Sequence, residues 1–184
     1  MKKLFCTFTF CILSIICFAQ NERPHLSFLG VPMGGPVQDF INTLCKEKGL
    51  IKRKVFKNED GEIVHSFKGR FWKFENCDIA VIEDSKGSVY KVVMATDLDK
   101  NSRSINLTNL IESFTIKYGP YKVERESDRS DDIFVWTSDG GMIKYKILYI
   151  PDILDALRID YIDCDMKKIQ EEKLKEKIKE LNEL

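Results

Sequence analysis

Two stretches of the chain repeat apolar residues with the period of a helix. In the first, Val37, Phe40, Ile41, Leu44 and Cys45 fall at i, i+3, i+4, i+7 and i+8, one stripe of a 3.6-residue turn. Pro36 is placed at its first position, where a missing N–H costs nothing. Gly49 stands just past its end, where glycine closes a helix in the left-handed conformation. The spacing predicts a helix over 36–48. In the second, Leu107, Leu110, Ile111, Phe114 and Tyr118 predict a helix over 106–118, closed by Gly119-Pro120.

Each helix is followed by short stretches that alternate or consist of β-formers. After the first come 50–57, 62–74, 77–83 and 88–96, separated by the Asp60-Gly61 turn, a turn at Glu75-Asn76 and a turn over 84–87. Gly69 shares the parity of Ile63, His65, Phe67 and Phe71, which suggests a bulge or a close approach. After the second helix come 121–126, 132–137, 142–150 and 157–164, with a hairpin turn at Asp139-Gly140-Gly141. The expected fold class is α+β: two helix-then-antiparallel-strand repeats, about 26–96 and 104–164, forming one sheet with both helices on one face.

The ends differ in character. Lys2 and Lys3 precede an uncharged apolar run over 4–18 and then Ala19-Gln20. That is the layout of a signal peptide over 1–19, too short for the roughly 20 residues of a membrane span. Lipidation of Cys17 would need a small residue before it, and Ile16 stands there. The mature part is then one domain over 20–164, exported to the periplasm or beyond, followed by 165–184. In that last segment Met166, Ile169, Leu174, Ile178, Leu181 and Leu184 form a narrow stripe among charges, an expected C-terminal amphipathic helix. It either packs as a solvated terminal helix or docks on a partner or a second copy.

Charge does not point to nucleic acid. The chain has 29 basic and 29 acidic residues, and loss of Lys2 and Lys3 tips the balance slightly acidic. Three of six cysteines leave with the leader. Cys45, Cys77 and Cys164 remain, either as small buried side chains or as one disulfide and one thiol, with all three pairings open.

The layout FLGVPMGGPVQDFINTLCKEKG, then GRFW and NCDIAV, then a helix ending KYGP, resembles a group of uncharacterised exported bacterial proteins. Its helix-then-sheet plan is also similar in architecture to the beta-lactamase inhibitor protein and to small outer-membrane-assembly lipoproteins. The resemblance implies a protein-binding scaffold in the envelope and carries no site residues over.

No strong chemical motif appears. Asp97, Asp99 and Asn101 have the first spacing of a calcium loop, but Ser102 and Thr108 occupy the glycine and glutamate positions. Asp128, Asp131 and Asp132 read as a solvated loop tip. His25 and His65 lack a second ligand at zinc spacing. A nucleophile pair of Cys45 or Cys77 with His65 depends on the fold. Gly34-Gly35 at a helix start offers N–H groups to an anion. No P-loop, dinucleotide fingerprint or nucleophile elbow is present, so no cofactor and no metal is expected. The candidate binding residues are Trp72, Phe74, Trp136 and Tyr145, aromatics on strands whose faces sequence cannot assign. The expected function is an exported envelope module that binds or inhibits a protein or peptide through an open sheet face. The alternatives are a hydrolase and a self-associating structural protein.

Overall fold

The computed structural model describes residues 25–98, 103–125, 132–138, 140–150 and 154–163, without the side chains of 103–106, 145–150 and 154–155. The expected leader, Cys164 and the segment 165–184 lie outside the described residues, as do Asp99, Asn101, Asp128 and Asp131.

The described residues form an α+β fold of two helices and a large antiparallel sheet. It enters through a small ribbon, β1 (Ser27–Phe28) paired with β2 (Val31–Pro32). Helix α1 (Val37–Lys48) follows. Then come β3 (Ile51–Lys57), β4 (Ile63–Phe71), β5 (Phe74–Glu83) and β6 (Val89–Asp97). Helix α2 (Arg103–Tyr118) precedes β7 (Lys122–Arg125), β8 (Asp132–Ser138), β9 (Gly141–Ile150) and β10 (Leu154–Asp163). Eight strands form one sheet in the order β3-β4-β5-β6-β10-β9-β8-β7. Each group of four is a meander, and the two meet where β6 pairs antiparallel with β10.

Local chemistry explains the helix ends. Pro36 is the N-cap of α1, which begins one residue later than expected, and the Val37 N–H donates to the Gly87 carbonyl. Gly49 takes φ 69° and returns its N–H to the Leu44 carbonyl, a conformation that costs other L-residues strain. Helix α2 begins at Arg103, a turn earlier than its apolar stripe indicates, because polar residues extend a helix without marking it.

One core lies against one face of the sheet. Phe40, Ile41 and Leu44 of α1 join Leu107, Leu110 and Phe114 of α2 in a single cluster with Phe67, Ile79, Val81, Val92, Met94, Trp136, Ile143, Leu157, Ile159 and Tyr161. The register makes this one face: Phe67 opposes Ile79, Ile79 opposes Met94, and Met94 opposes Ile159. The entry ribbon adds Phe28, whose ring stacks on Phe71 at 5.6 Å and meets Tyr161 edge-on at 5.2 Å.

Two turns differ from expectation. The β4–β5 hairpin turns at Trp72-Lys73, since Phe71 pairs with Phe74. Glu75-Asn76 instead lies inside β5, at a register shift between the Gly69 and Phe71 pairs, with Asn76 at φ 54°. The polar pair that reads as a turn is thus a bulge. A Cβ on Gly69 would come within 2.2 Å of the Leu50 side chain, so that glycine serves both the bulge and a close approach. In the second meander Gly141 is not a turn residue; it pairs with Ser138 and Asp163 inside β9.

Candidate binding surface

Residues that alternate with the core positions point to the other face of the sheet. Among the described residues no helix or strand packs there, since the entry ribbon and both helices contribute to the core cluster. That face has three zones. Over β4, β5 and β6 lies a small apolar patch, Val64, Ile82 and Tyr90 with Ala80 and Val93. The Tyr90 hydroxyl donates to the Glu62 carboxylate. Burial and that carboxylate push the phenol far above its ordinary range.

At the centre stands Asp160 on β10. Arg158 donates to it twice, Nε at 2.7 Å and Nη2 at 3.1 Å, and the Lys91 Nζ lies 3.2 Å away. Burial alone would raise this carboxyl. The Arg158 hydrogen bonds and the Lys91 charge outweigh it, and the group sits below its ordinary value.

Toward the β7 edge lies a cavity of about 330 Å³. Val135, Met142 and Ile162 form its apolar floor on three adjacent strands. Lys122, Glu124, Thr137, Ser138 and Asp163 supply polar groups around it. Glu124 is held by the Lys144 Nζ at 3.2 Å, while Lys122 makes no ion pair among the described residues. Asp163 is 3% exposed, and its Oδ2 lies 3.0 Å from the His25 Nδ1. An apolar floor under a mixed polar rim suits one or two side chains of a larger ligand, at the small end of ligand sites.

The aromatic residues singled out from sequence are placed otherwise. Trp136 is 1% exposed, packed edge-on against Phe114 at 5.3 Å, with its Nε1 donating to Thr115 Oγ1 at 3.3 Å. Phe74 is also buried in the core. Both are corrected from surface anchors to core residues: their parity in the register puts them under the helices, and the strand pattern alone does not tell one face from the other. Trp72 is half-buried at the hairpin turn, at φ 53°, with the Lys73 Nζ 4.9 Å from its ring. An aromatic residue there is unusual, because such turns favour Asn or Gly. Tyr145 stands opposite Phe134 and Ile159 in the register, and its side chain lies outside the described part. Sequence reading missed Val135, Met142 and Ile162, which carry only the ordinary signal of β-branched and apolar strand residues.

The register does not bring Cys77 and His65 together. His65 pairs with Val81 in the register and Cys77 with Gly69, so the two lie about 13 Å apart along the strands. Burial raises the Cys77 thiol above its ordinary value, which disfavours the reactive thiolate. His65 has Glu83 Oε2 at 3.4 Å, yet neither ring nitrogen makes a hydrogen bond. Among the described residues no three His, Cys, Asp or Glu side chains converge on a metal position. The Gly34 N–H is already bonded to the Val89 carbonyl and the Val37 N–H to that of Gly87, which removes them from an anion site. Among the described residues no helix is long and apolar enough to cross a membrane.

No family model, curated protein or solved structure matches this chain.

Proposed function

We propose that the protein is an exported envelope module that binds or inhibits another protein by taking an extended segment on the sheet face opposite its two described helices. The observation that carries the reading is the cavity over Val135, Met142 and Ile162, an apolar seat with polar groups of both signs around it. An apolar side chain of the ligand would enter the seat. Its backbone and flanking polar groups would meet Lys122, Glu124 and Thr137. The leader-like pattern over 1–19 supports export. The two meanders, each preceded by a helix and meeting at β6 and β10, support an origin as two repeats. Binding is favoured over hydrolysis by the apolar floor that Val135, Met142 and Ile162 offer to a side chain.

The test is selection of peptides from a random display library on the mature chain, followed by titration of the best binders. Met142→Lys places a charge in the half-buried floor without opening the helix-side core. Loss of peptide binding with unchanged thermal unfolding is expected. Peptides that bind equally well to this variant, or selection of none, would end the proposal.

A further inference from the structure

We infer that the outer edge of strand β3 takes an extended acidic segment of a partner polypeptide, which joins the sheet as an added strand. β3 lies at one margin of the sheet and the cavity at the other, so the two sites are separate. The margins are built differently. β7 is four residues long, and its Glu124 and Arg125 are paired with Lys144 and Asp132. β3 is seven residues long, IKRKVFK, and all seven are exposed. That is an edge of about 23 Å, long for one left open, since sheets manage their edges by keeping them short or covered. Among the described residues no strand pairs with its outer side.

The residues of β3 define the chemistry of the occupant. Lys52, Arg53, Lys54 and Lys57 are four cations with no carboxylate among them. Glu59 and Asp60 stand in the turn that follows, yet none of the four cations makes an ion pair among the described residues. Between them Ile51, Val55 and Phe56 are 61%, 49% and 41% exposed, three of the six exposed large apolar side chains among the described residues. Both kinds of group occur on both faces. Lys52 and Val55 oppose Phe67 and His65, on the helix side of the sheet. Ile51 and Phe56 oppose Lys68 and Val64, on the other side, and the Lys54 Nζ lies 4.8 Å from the Phe56 ring. Cations along an edge repel a second basic edge, which keeps two copies of this strand apart. The same cations attract a strand that carries carboxylates opposite them. A lipid headgroup or a nucleic acid backbone would meet the charges alone. An extended polypeptide also satisfies the outward N–H and C=O groups of the edge, and its apolar side chains cover Ile51, Val55 and Phe56.

The test is fluorescence anisotropy of the mature chain with a labelled peptide that repeats Glu-Glu-Val-Val, a pattern that puts carboxylates and valines on both faces of a strand. Saturable binding that weakens as salt rises is expected. Lys52→Glu/Lys54→Glu keeps the edge charged against self-association and should weaken binding by roughly tenfold or more. Met142→Lys, in the cavity floor, should leave it unchanged. The same peptide methylated at every backbone nitrogen keeps its charge, loses its strand donors and should not bind. In hydrogen exchange the amides of 51–57 should slow when the unmodified peptide is added. Failure of that peptide to bind, or binding that survives the charge reversal, would overturn the inference. Equal binding of the methylated peptide, or tighter binding to phosphatidylglycerol vesicles, would do the same by making β3 a patch for any polyanion. Slowed exchange at 122–125 in place of 51–57, or loss of the peptide in Met142→Lys, would move the site to the cavity margin and end the assignment to β3. Should circular dichroism show that the double variant is unfolded, the methylated peptide and hydrogen exchange on the unmodified chain decide.

Discussion

Replacing Gly141 by alanine should lower the melting temperature by about 10 °C. Gly141 lies at φ 141° in β9, paired with Ser138 on one side and Asp163 on the other. A Cβ there would stand 2.2 Å from the Ile162 carbonyl oxygen and 3.1 Å from the Asp163 Cα, where real contacts begin beyond 3.0 Å. The Leu26 Cδ1, 2.9 Å away, could turn aside, but the nearest atom is backbone and no rotamer change relieves it. Either β10 moves outward or the β9–β10 ladder opens at its end. Overpacking of this kind costs about 1–3 kcal/mol. The backbone conformation, which L-residues rarely adopt, costs about 1–3 kcal/mol more. A loss of roughly 4 kcal/mol is a large share of the 5–15 kcal/mol that hold an ordinary domain. At about 2–4 °C per kcal/mol for a chain of this size, the shift is the one stated. Thermal unfolding followed by circular dichroism measures it. Gly61→Ala serves as the internal comparison: Gly61 also has positive φ, 78°, but nothing lies within 4 Å of its Cβ position. That variant bears the backbone cost alone, about 1–2 kcal/mol, and should lose only a few degrees. A Gly141→Ala protein that melts within error of the unmodified chain would refute the close approach between β9 and β10.

Trp136→Ala should cost about 3–5 kcal/mol in urea unfolding, because it empties a core position beneath Phe114; a loss under 1 kcal/mol would place the side chain at the surface instead. The acid limb of the stability curve should depend on Asp160. Its pKa is lower in the folded chain than in the unfolded one, so its contribution is present above the unfolded value and fades as pH falls through the folded one. Asp160→Asn should therefore cost about 1–2 kcal/mol at pH 7 and progressively less below pH 4; equal losses at both pH values would contradict the pairing with Arg158 and Lys91. Strand β3 is an open edge, exposed throughout, with a register shift between Lys52 and Val55, devices that discourage edge-to-edge association. Lys52→Val/Lys54→Val should raise the aggregation rate in light scattering, and an unchanged rate would show that the bulge alone protects the edge.

The helices were legible because their signal is local. The i, i+3, i+4 stripe around Phe40 and Leu44 and the glycine after Lys48 fix a helix whatever packs against it. The strands were legible for the same reason, apart from two turns; Gly141, read as a turn residue, belongs to β9. Glu75-Asn76 reads as a turn because polar residues serve turns and bulges alike, and only the pairing of Phe71 with Phe74 separates them. The face of each strand was not legible. An alternating strand has two faces of fixed parity, and the sequence within it does not say which one a distant helix will cover. Trp136 and Val135 are neighbours with similar apolar character, yet one lies in the core beneath α2 and the other on the opposite face, in the cavity floor. That assignment rests on contacts between residues far apart in the chain, Phe114 with Trp136 and Met142 with Ile162. The sequence by itself determined the elements and their order; the tertiary structure alone decided which side is core and where the cavity lies, because burial belongs to the packed sheet and not to any one strand.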